Sequence, residues 1–299
     1  MKIHMEATMT KIKEKLFGNG SFFEVFKYKD LLYQLVSRDI KLKYRRSFLG
    51  YVWSILNPLL IMTIMSIVFS FLFHRKLEFF PLYLLAGRSM FEFVDGSAKK
   101  TLSSITDNTS LLKKTYVSKF MFPLAKITAG MVDFVFSLGA LVIVMVFYSF
   151  ASGRVLFSFW NLGIVITVIE AYVFALGLGL LLAQLNVFFR DIRYIYNAIS
   201  TMWLYCSAIF YDIGMLYERA AKEPLAGVLA RIIDNCNPIY IYIKQFRYFI
   251  WVPTLSEKIP NWAMLNQWDF IFGFGYAILM FAIGVFFFKK SQDKFILYI

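Results

Sequence analysis

Cysteine, histidine and charge are all scarce in this chain of 299 residues: two Cys, two His, and only 17% Asp, Glu, Lys and Arg. Cys206 and Cys236 show no CxxC spacing, and His4 and His74 have no ligand-spaced neighbours, so neither a metal site nor a dithiol redox pair is indicated. No glycine is followed by lysine, which excludes the phosphate-cradling GxxxxGK[ST] loop. If ATP drives this protein, another chain binds it. An acid/base enzyme is also poorly served, since Glu92 and Asp95 are the best remaining acids for a membrane-embedded transferase.

What is present is apolar. Hydrophobic residues make up 59% of the chain and aromatics 19%, and the mean hydropathy is +0.61. These values belong to an integral membrane protein. The net charge of +13 lies between apolar runs, so topology explains it better than nucleic-acid binding.

A spanning helix needs about 20 mainly apolar residues. Six segments are expected to span: Tyr51 to Phe73, Phe79 to Val94 with helix continuing toward Ile105, Ile127 to Phe150, Val155 to Phe189, Tyr194 to Tyr211, and Phe270 to Phe288. The expected fold is all-α and integral to the membrane. Residues 1–50 form an N-terminal region, 51–288 the six-helix domain, and 289–299 a tail. Between the fifth and sixth spans, Ile239 to Val252 is apolar but too short to cross, and Pro238 and Pro253 bracket it. This suggests a re-entrant helical hairpin over about 213–267 dipping into the outer leaflet, with a helix on the membrane surface as the alternative.

Eleven of the 32 Lys and Arg residues precede Tyr51, and further groups fall in alternate loops. That asymmetry favours both termini on the cytoplasmic side. The first 50 residues show no apolar core or small-residue cleavage site of a signal peptide. Within them, Tyr28, Leu32, Val36, Ile40, Tyr44 and Phe48 recur at i+4, while Arg38, Lys41 and Arg45 fall elsewhere on the helix. This predicts a basic amphipathic helix, either a plain anchor in the headgroup layer or a docking element. A second amphipathic stretch, about 107–120, aligns Leu112, Tyr116 and Phe120 among Lys113, Lys114 and Lys119, with Pro123 expected to end it.

These residues carry a resemblance. Arg38-Asp39-Ile40-Lys41-Leu42-Lys43-Tyr44 and Leu49-Gly50-Tyr51-Val52-Trp53-Ser54-Ile55-Leu56-Asn57-Pro58 resemble the opening of the membrane subunit of type-2 ABC exporters of polysaccharide. Leu84-Leu85-Ala86-Gly87, Leu111-Leu112-Lys113-Lys114, Val132-Asp133-Phe134, Asn186-Val187-Phe188-Phe189-Arg190-Asp191-Ile192, Asn237-Pro238 and Phe246-Arg247 continue it in order. The resemblance implies a homodimer bound to two copies of a separate ATPase that holds ATP and Mg. The cargo it implies is a lipid-linked glycan such as O-antigen, teichoic acid or capsule, and the location is a bacterial cytoplasmic (inner) membrane.

Under that resemblance the ATPase stroke enters at Arg38, Asp39, Lys41, Tyr44 and Arg45, at Leu112, Lys113, Lys114 and Tyr116, and at the turn bearing Arg190 and Asp191. Sugars pack their C–H faces on aromatic rings, so Tyr194, Tyr196, Trp203, Tyr205 and Tyr211 are expected to line a passage, with lipid-facing packing as the alternative. Tyr240, Tyr242, Phe246 and Arg247 are expected to form an outer gate, Arg247 facing a lipid pyrophosphate.

One departure from the family pattern concerns charge. Arg88, Glu92 and Asp95 fall on one helix face at i, i+4 and i+7 within the second span. Intramembrane charges cost about 2.5–3.5 kcal/mol each unless paired or hydrated. An Arg88–Glu92 pair or a headgroup contact is expected, and inter-helix pairing is expected for Asp133 and Glu170. A drug- or lipid-exporting relative, an ion-coupled carrier and a glycolipid-modifying transferase are the competing classes.

Overall fold

The computed structural model describes residues 28–45, 47–73, 77–114, 117–256 and 259–298, and among them every regular element is helical. Helix α1 covers Lys29–Tyr44, α2 Trp53–Phe73 and α3 Phe80–Phe91. A π-turn over Glu92–Gly96 joins α3 to α4, Ser97–Thr101. Then come α5, Thr109–Lys114, and the long α6, Met121–Ser152, followed by α7, Ile164–Phe188 and α8, Ile192–Tyr205. Three shorter helices, α9 (Gly214–Arg219), α10 (Pro224–Cys236) and α11 (Pro238–Ile250), precede α12, Gln267–Ser291, and α13, Phe295–Tyr298.

The tightest pairing is α7 with α12. A Cβ on Gly177 would collide with the backbone of Met280 and Phe281, and one on Gly284 with the carbonyl of Gly177. The two backbones therefore touch, a small-residue seam of the kind that drives helix association where lipid supplies no hydrophobic force. Around it, α11 packs on α3, α7 and α12, and α6 packs on α1, α2, α3 and α7.

Among the described residues four helical stretches are long and apolar enough to cross a membrane: Gly50–Phe69, Met121–Ser152, Phe159–Phe188 and Asn261–Lys294. This is a multi-pass membrane protein. The other two expected spans fall short on different grounds. The second is helical from Phe80 to Thr101 but carries Arg88, Glu92, Asp95, Lys99 and Lys100. The fifth stops at Tyr205 after 14 residues, a rise of about 21 Å, and residues 206–213 are turns where Ala208 holds φ +45°.

Other boundaries also moved. The first amphipathic helix ends at Tyr44 instead of running to Phe48, which is fully exposed. Its apolar stripe does not lie free in a headgroup layer: Leu35 is buried in the core, with Leu31, Leu32 and Val36 packed beside it, and α1 docks on α6. The loop helix expected over 107–120 is only the short α5 with a 3-10 turn at Thr106–Asn108 before it. Phe120 and Pro123 belong to the start of α6, where Pro123 occupies the first turn and costs no intrahelical bond. In the segment where a hairpin is expected, α10 and α11 meet at Asn237. Asn237 Oδ1 accepts from the amides of Ile239 and Tyr240, capping α11, while Nδ2 donates to Cys206 O at 2.9 Å.

Candidate functional site

The densest polar network lies at the end of the bundle that carries α1. Arg38 Nη1 donates to Asn108 Oδ1 at 3.0 Å, and Asn108 Nδ2 donates to Ser104 O at 2.8 Å. Asp39, one residue on, pairs with Lys126 of α6 at 2.9 Å. Farther along α1, Lys43 reaches Asp133 of α6 at 2.8 Å, and Lys100 of α4 reaches the same carboxylate at 2.7 Å. Asn186, near the end of α7, donates to Leu102 O at 2.7 Å. Lys119 donates to Gln292 O at 2.5 Å beyond α12.

Helix α1, the 102–114 loop, α6, α7 and the end of α12 are thus tied by side chains at one level. Helix α1 is tied directly to α6, and the loop before α5 is tied to α1 and α7. Lys119 feels this packing: desolvation lowers its pKa, against the attraction of Asp293 that raises it.

The expected coupling residues divide into two sets. Arg38 and Asp39 are tie points, Arg38 with its side chain 44% exposed and Asp39 mostly covered, and Leu112 is buried. Lys41, Arg45, Lys113, Lys114, Arg190 and Asp191 are exposed on the same end. Arg190 and Arg193 join Thr106, Asn186 and Tyr194 around a recess of about 300 Å³. Tyr116 and the side chain of Tyr44 lie outside the described residues. Sequence reasoning missed Asn108 and Lys126 as partners, because both contacts join segments many residues apart.

The intramembrane charges are resolved one by one. Arg88 and Glu92 pair at 3.4 Å as expected. Asp95 does not share their face, because the π-turn adds a residue to the helical cycle and rotates it toward α8. There Tyr196 and Ser200 donate to its two oxygens at 3.0 and 2.7 Å, and Lys99 pairs with it at 2.8 Å. Asp133 has the inter-helix partners expected of it. Glu170 does not: it is 1% exposed, neither oxygen has a hydrogen-bond partner among the described residues, and the neighbouring Gln245 Nε2 is given to Asp269 O at 3.0 Å. Among the described residues no basic side chain forms an ion pair with it, and Lys244 is held by Asp234 and Asp269 at 3.1 and 3.0 Å.

The aromatic residues also divide. Tyr194 and Tyr205 are exposed on α8, Trp203 donates to Asn237 Oδ1 at 2.8 Å, and Tyr211 is half-buried. Tyr196 is turned into the core by its bond to Asp95. Tyr240, Tyr242 and Phe246 are buried, with Tyr242 donating to Gly273 O at 3.0 Å and Phe246 against Phe134. Arg247 is not free for a pyrophosphate. Its Nε donates to Tyr83 O at 3.1 Å, Nη1 to Ala208 O and Nη2 to Ile209 O both at 2.9 Å, and its guanidinium stacks 3.5 Å over the Tyr83 ring. A cation buried between helices is held by carbonyls and a ring face because only such partners offset its lost hydration.

The chain is similar to the O-antigen export system permease protein RfbA of Myxococcus xanthus, 27% identical over 242 residues, covering 81% of this chain and 88% of that one. A protein of the same name from Klebsiella pneumoniae is 28% identical over 246 residues, covering 81% and 93%; another from that organism is 27% identical over 226 residues, covering 73% and 86%. The model of the ABC-2 type transporter family matches residues 30–251, from the first turn of α1 to the residue after α11, so the ties among α1, the 102–114 loop, α6 and α7 and the Arg247 clamp fall inside the match, while Gln292 lies beyond it. With most of its length matched and several helices able to cross a bilayer, this chain belongs to the ABC-2 type transporter family.

Proposed function

We propose that the chain is the membrane subunit of an ABC exporter that carries an O-antigen polysaccharide, on its lipid anchor, across the bacterial cytoplasmic membrane. The observation that carries this reading is the similarity to O-antigen export permeases over 81% of the chain. Two copies form the pathway, each contacting one separate ATPase subunit that binds ATP and Mg. Each copy spans six times, through α2, the α3–α4 pair, α6, α7, α8 with its following turns, and α12. The α10–α11 hairpin sits in the outer leaflet. The lysine and arginine asymmetry supports both termini in the cytoplasm.

In this reading the ATPase docks on the exposed Lys41, Arg45, Lys113, Lys114, Arg190 and Asp191. Its movement is passed inward through Arg38–Asn108 and Asp39–Lys126. Nucleotide state then shifts the population of open and closed pathways. Tyr194 and Tyr205 remain as candidates for glycan contact, while Tyr196, Tyr240, Tyr242, Phe246 and Arg247 act as packing inside the protomer.

The test is reconstitution with the ATPase in proteoliposomes loaded on one side with lipid-linked O-antigen. ATP-dependent appearance of polymer on the other side supports the reading. Transport of a small amphiphile with no polymer movement would assign the chain to a drug or lipid exporter instead.

A further inference from the structure

A cleft with a cavity of about 340 Å³ lies between the end of α1 and helices α2, α3, α4 and α6. At one end Lys43 and Lys100 clasp Asp133. Arg88 lies twelve positions before Lys100 on the α3–α4 rod, about 18 Å deeper at the helical rise. Its one contact among the described residues is the 3.4 Å approach of Nη2 to Glu92, which is largely exposed, so Nε and Nη1 are uncommitted. Beside it Ser89 is 4% exposed and its Oγ has no hydrogen-bond partner among the described residues. The walls include Trp53, Pro58, Ile61 and Phe134.

Three cations and two carboxylates leave the cleft one positive charge in excess. Arg88 with free donors and Ser89 with an unsatisfied hydroxyl both line the cleft, and an oxyanion can satisfy the two together. Arginine offers its planar fork to phosphate, and the unpaired Ser89 hydroxyl supplies a further donor. Apolar walls on the same cleft suit a ligand with hydrocarbon attached. A phosphate there would also offset the cost of holding Arg88 inside the bilayer.

We propose that this cleft binds the phosphate of an amphiphile, with the oxyanion on Arg88 and Ser89 and the rest of the headgroup extending toward the Lys43–Asp133–Lys100 cluster. The ligand class is a phosphate or pyrophosphate monoester or diester carrying a hydrocarbon chain. The inference does not rest on export, because binding is read without ATP or transport.

The experiment uses the full-length chain in dodecyl maltoside micelles, which carry no phosphate, with bound lipid counted by native mass spectrometry. Dioleoyl phosphatidic acid is compared with dioleoylglycerol, and undecaprenyl phosphate with undecaprenol. Each phosphorylated form is expected to bind about tenfold more tightly than its neutral counterpart. Arg88→Gln should erase that preference. Ser89→Ala removes only an unpartnered hydroxyl, so it should weaken the phosphorylated forms several-fold while leaving thermal stability unchanged. Preference for phosphatidic acid would identify the source as bilayer lipid, and preference for undecaprenyl phosphate as a polyprenyl carrier. Equal binding of phosphorylated and neutral forms, or full preference retained in Ser89→Ala, overturns the proposal.

Discussion

Arg38 on α1 and Asn108 in the loop before α5 are joined by a single 3.0 Å hydrogen bond, although 70 residues separate them in the chain. It links α1 directly to the loop that follows α4. Asn108→Ala removes the acceptor and costs about 1–2 kcal/mol at this partly buried site, too little to unfold the bundle. Assembly with the ATPase should persist while export per ATP hydrolysed falls several-fold. Parallel measurements of nucleotide turnover and polymer transport check this, and an unchanged ratio would remove the bond from the transmission path.

Arg247 should be intolerant of any change. Replacing it with Met leaves three carbonyls without donors and frees the strained turn at Ala208, a loss of about 3 kcal/mol or more. Arg247→Lys should fare little better, because an ammonium cannot reach three carbonyls in a fixed plane and stack on Tyr83. Both variants should show lower detergent-extracted yield and a lower melting temperature than the parent. A stable, monodisperse Arg247→Met protein would contradict the structural role.

Much of this architecture was legible from periodicity alone. The long apolar runs that became α2, α6, α7 and α12 are set by hydrocarbon thickness, which acts on every residue of the segment at once. The end of α8 was not legible, because Cys206-Ser207-Ala208 contains no helix breaker. The chain turns there because Arg247 and Asn237, both distant in sequence, take the carbonyls of Ala208, Ile209 and Cys206. Asp95 was misplaced for a related reason. A face drawn at 3.6 residues per turn cannot foresee a π-turn, although the Asp95–Lys99 spacing already offered the i,i+4 partner it takes. Arg88–Glu92, lying before the π-turn's effect accumulates, came out as the spacing indicates.

Glu170 makes the opposite prediction to Arg247. Among the described residues its carboxyl has no basic partner and no hydrogen bond of normal geometry, with only the Gln245 amide beside it, so a neutral amide of the same shape should be accepted. Glu170→Gln is expected to keep or raise the melting temperature and retain transport. Glu170→Lys, which puts an unpaired ammonium in the same buried space, should prevent accumulation in the membrane. Failure of Glu170→Gln to fold would show that the acid itself is required.

At the other end of the molecule Glu78 accepts from the Ser256 amide at 2.9 Å and hydroxyl at 2.6 Å, with Arg154 3.8 Å away. Slight desolvation pushes its pKa up, but the two Ser256 bonds and Arg154 together hold it below the ordinary 4.5. A depressed carboxylate pKa contributes stability above that ordinary value and loses it as pH falls through the folded value. The melting temperature should therefore be flat from neutral pH to about 5 and decline below about 4.5. The contribution is small because the Glu78 carboxylate is partly exposed and Arg154 is largely so. Glu78→Gln should flatten that part of the profile, and an identical acid decline in the variant would assign it to other carboxylates.

The contact between Gly177 and the Met280–Gly284 stretch has a mechanical consequence. Two helices separated by side chains can slip by exchanging rotamers, but two backbones in contact have no such layer to shear. Sliding α7 along α12 by one turn would drive Leu180 or Leu181, three and four positions on from Gly177, into the main chain of its neighbour, which favours the pair moving as one beam. The chain then has a stator of fixed internal geometry, and rearrangement falls to joints such as the π-turn and the bend after Tyr205, where the helical ladder is already interrupted.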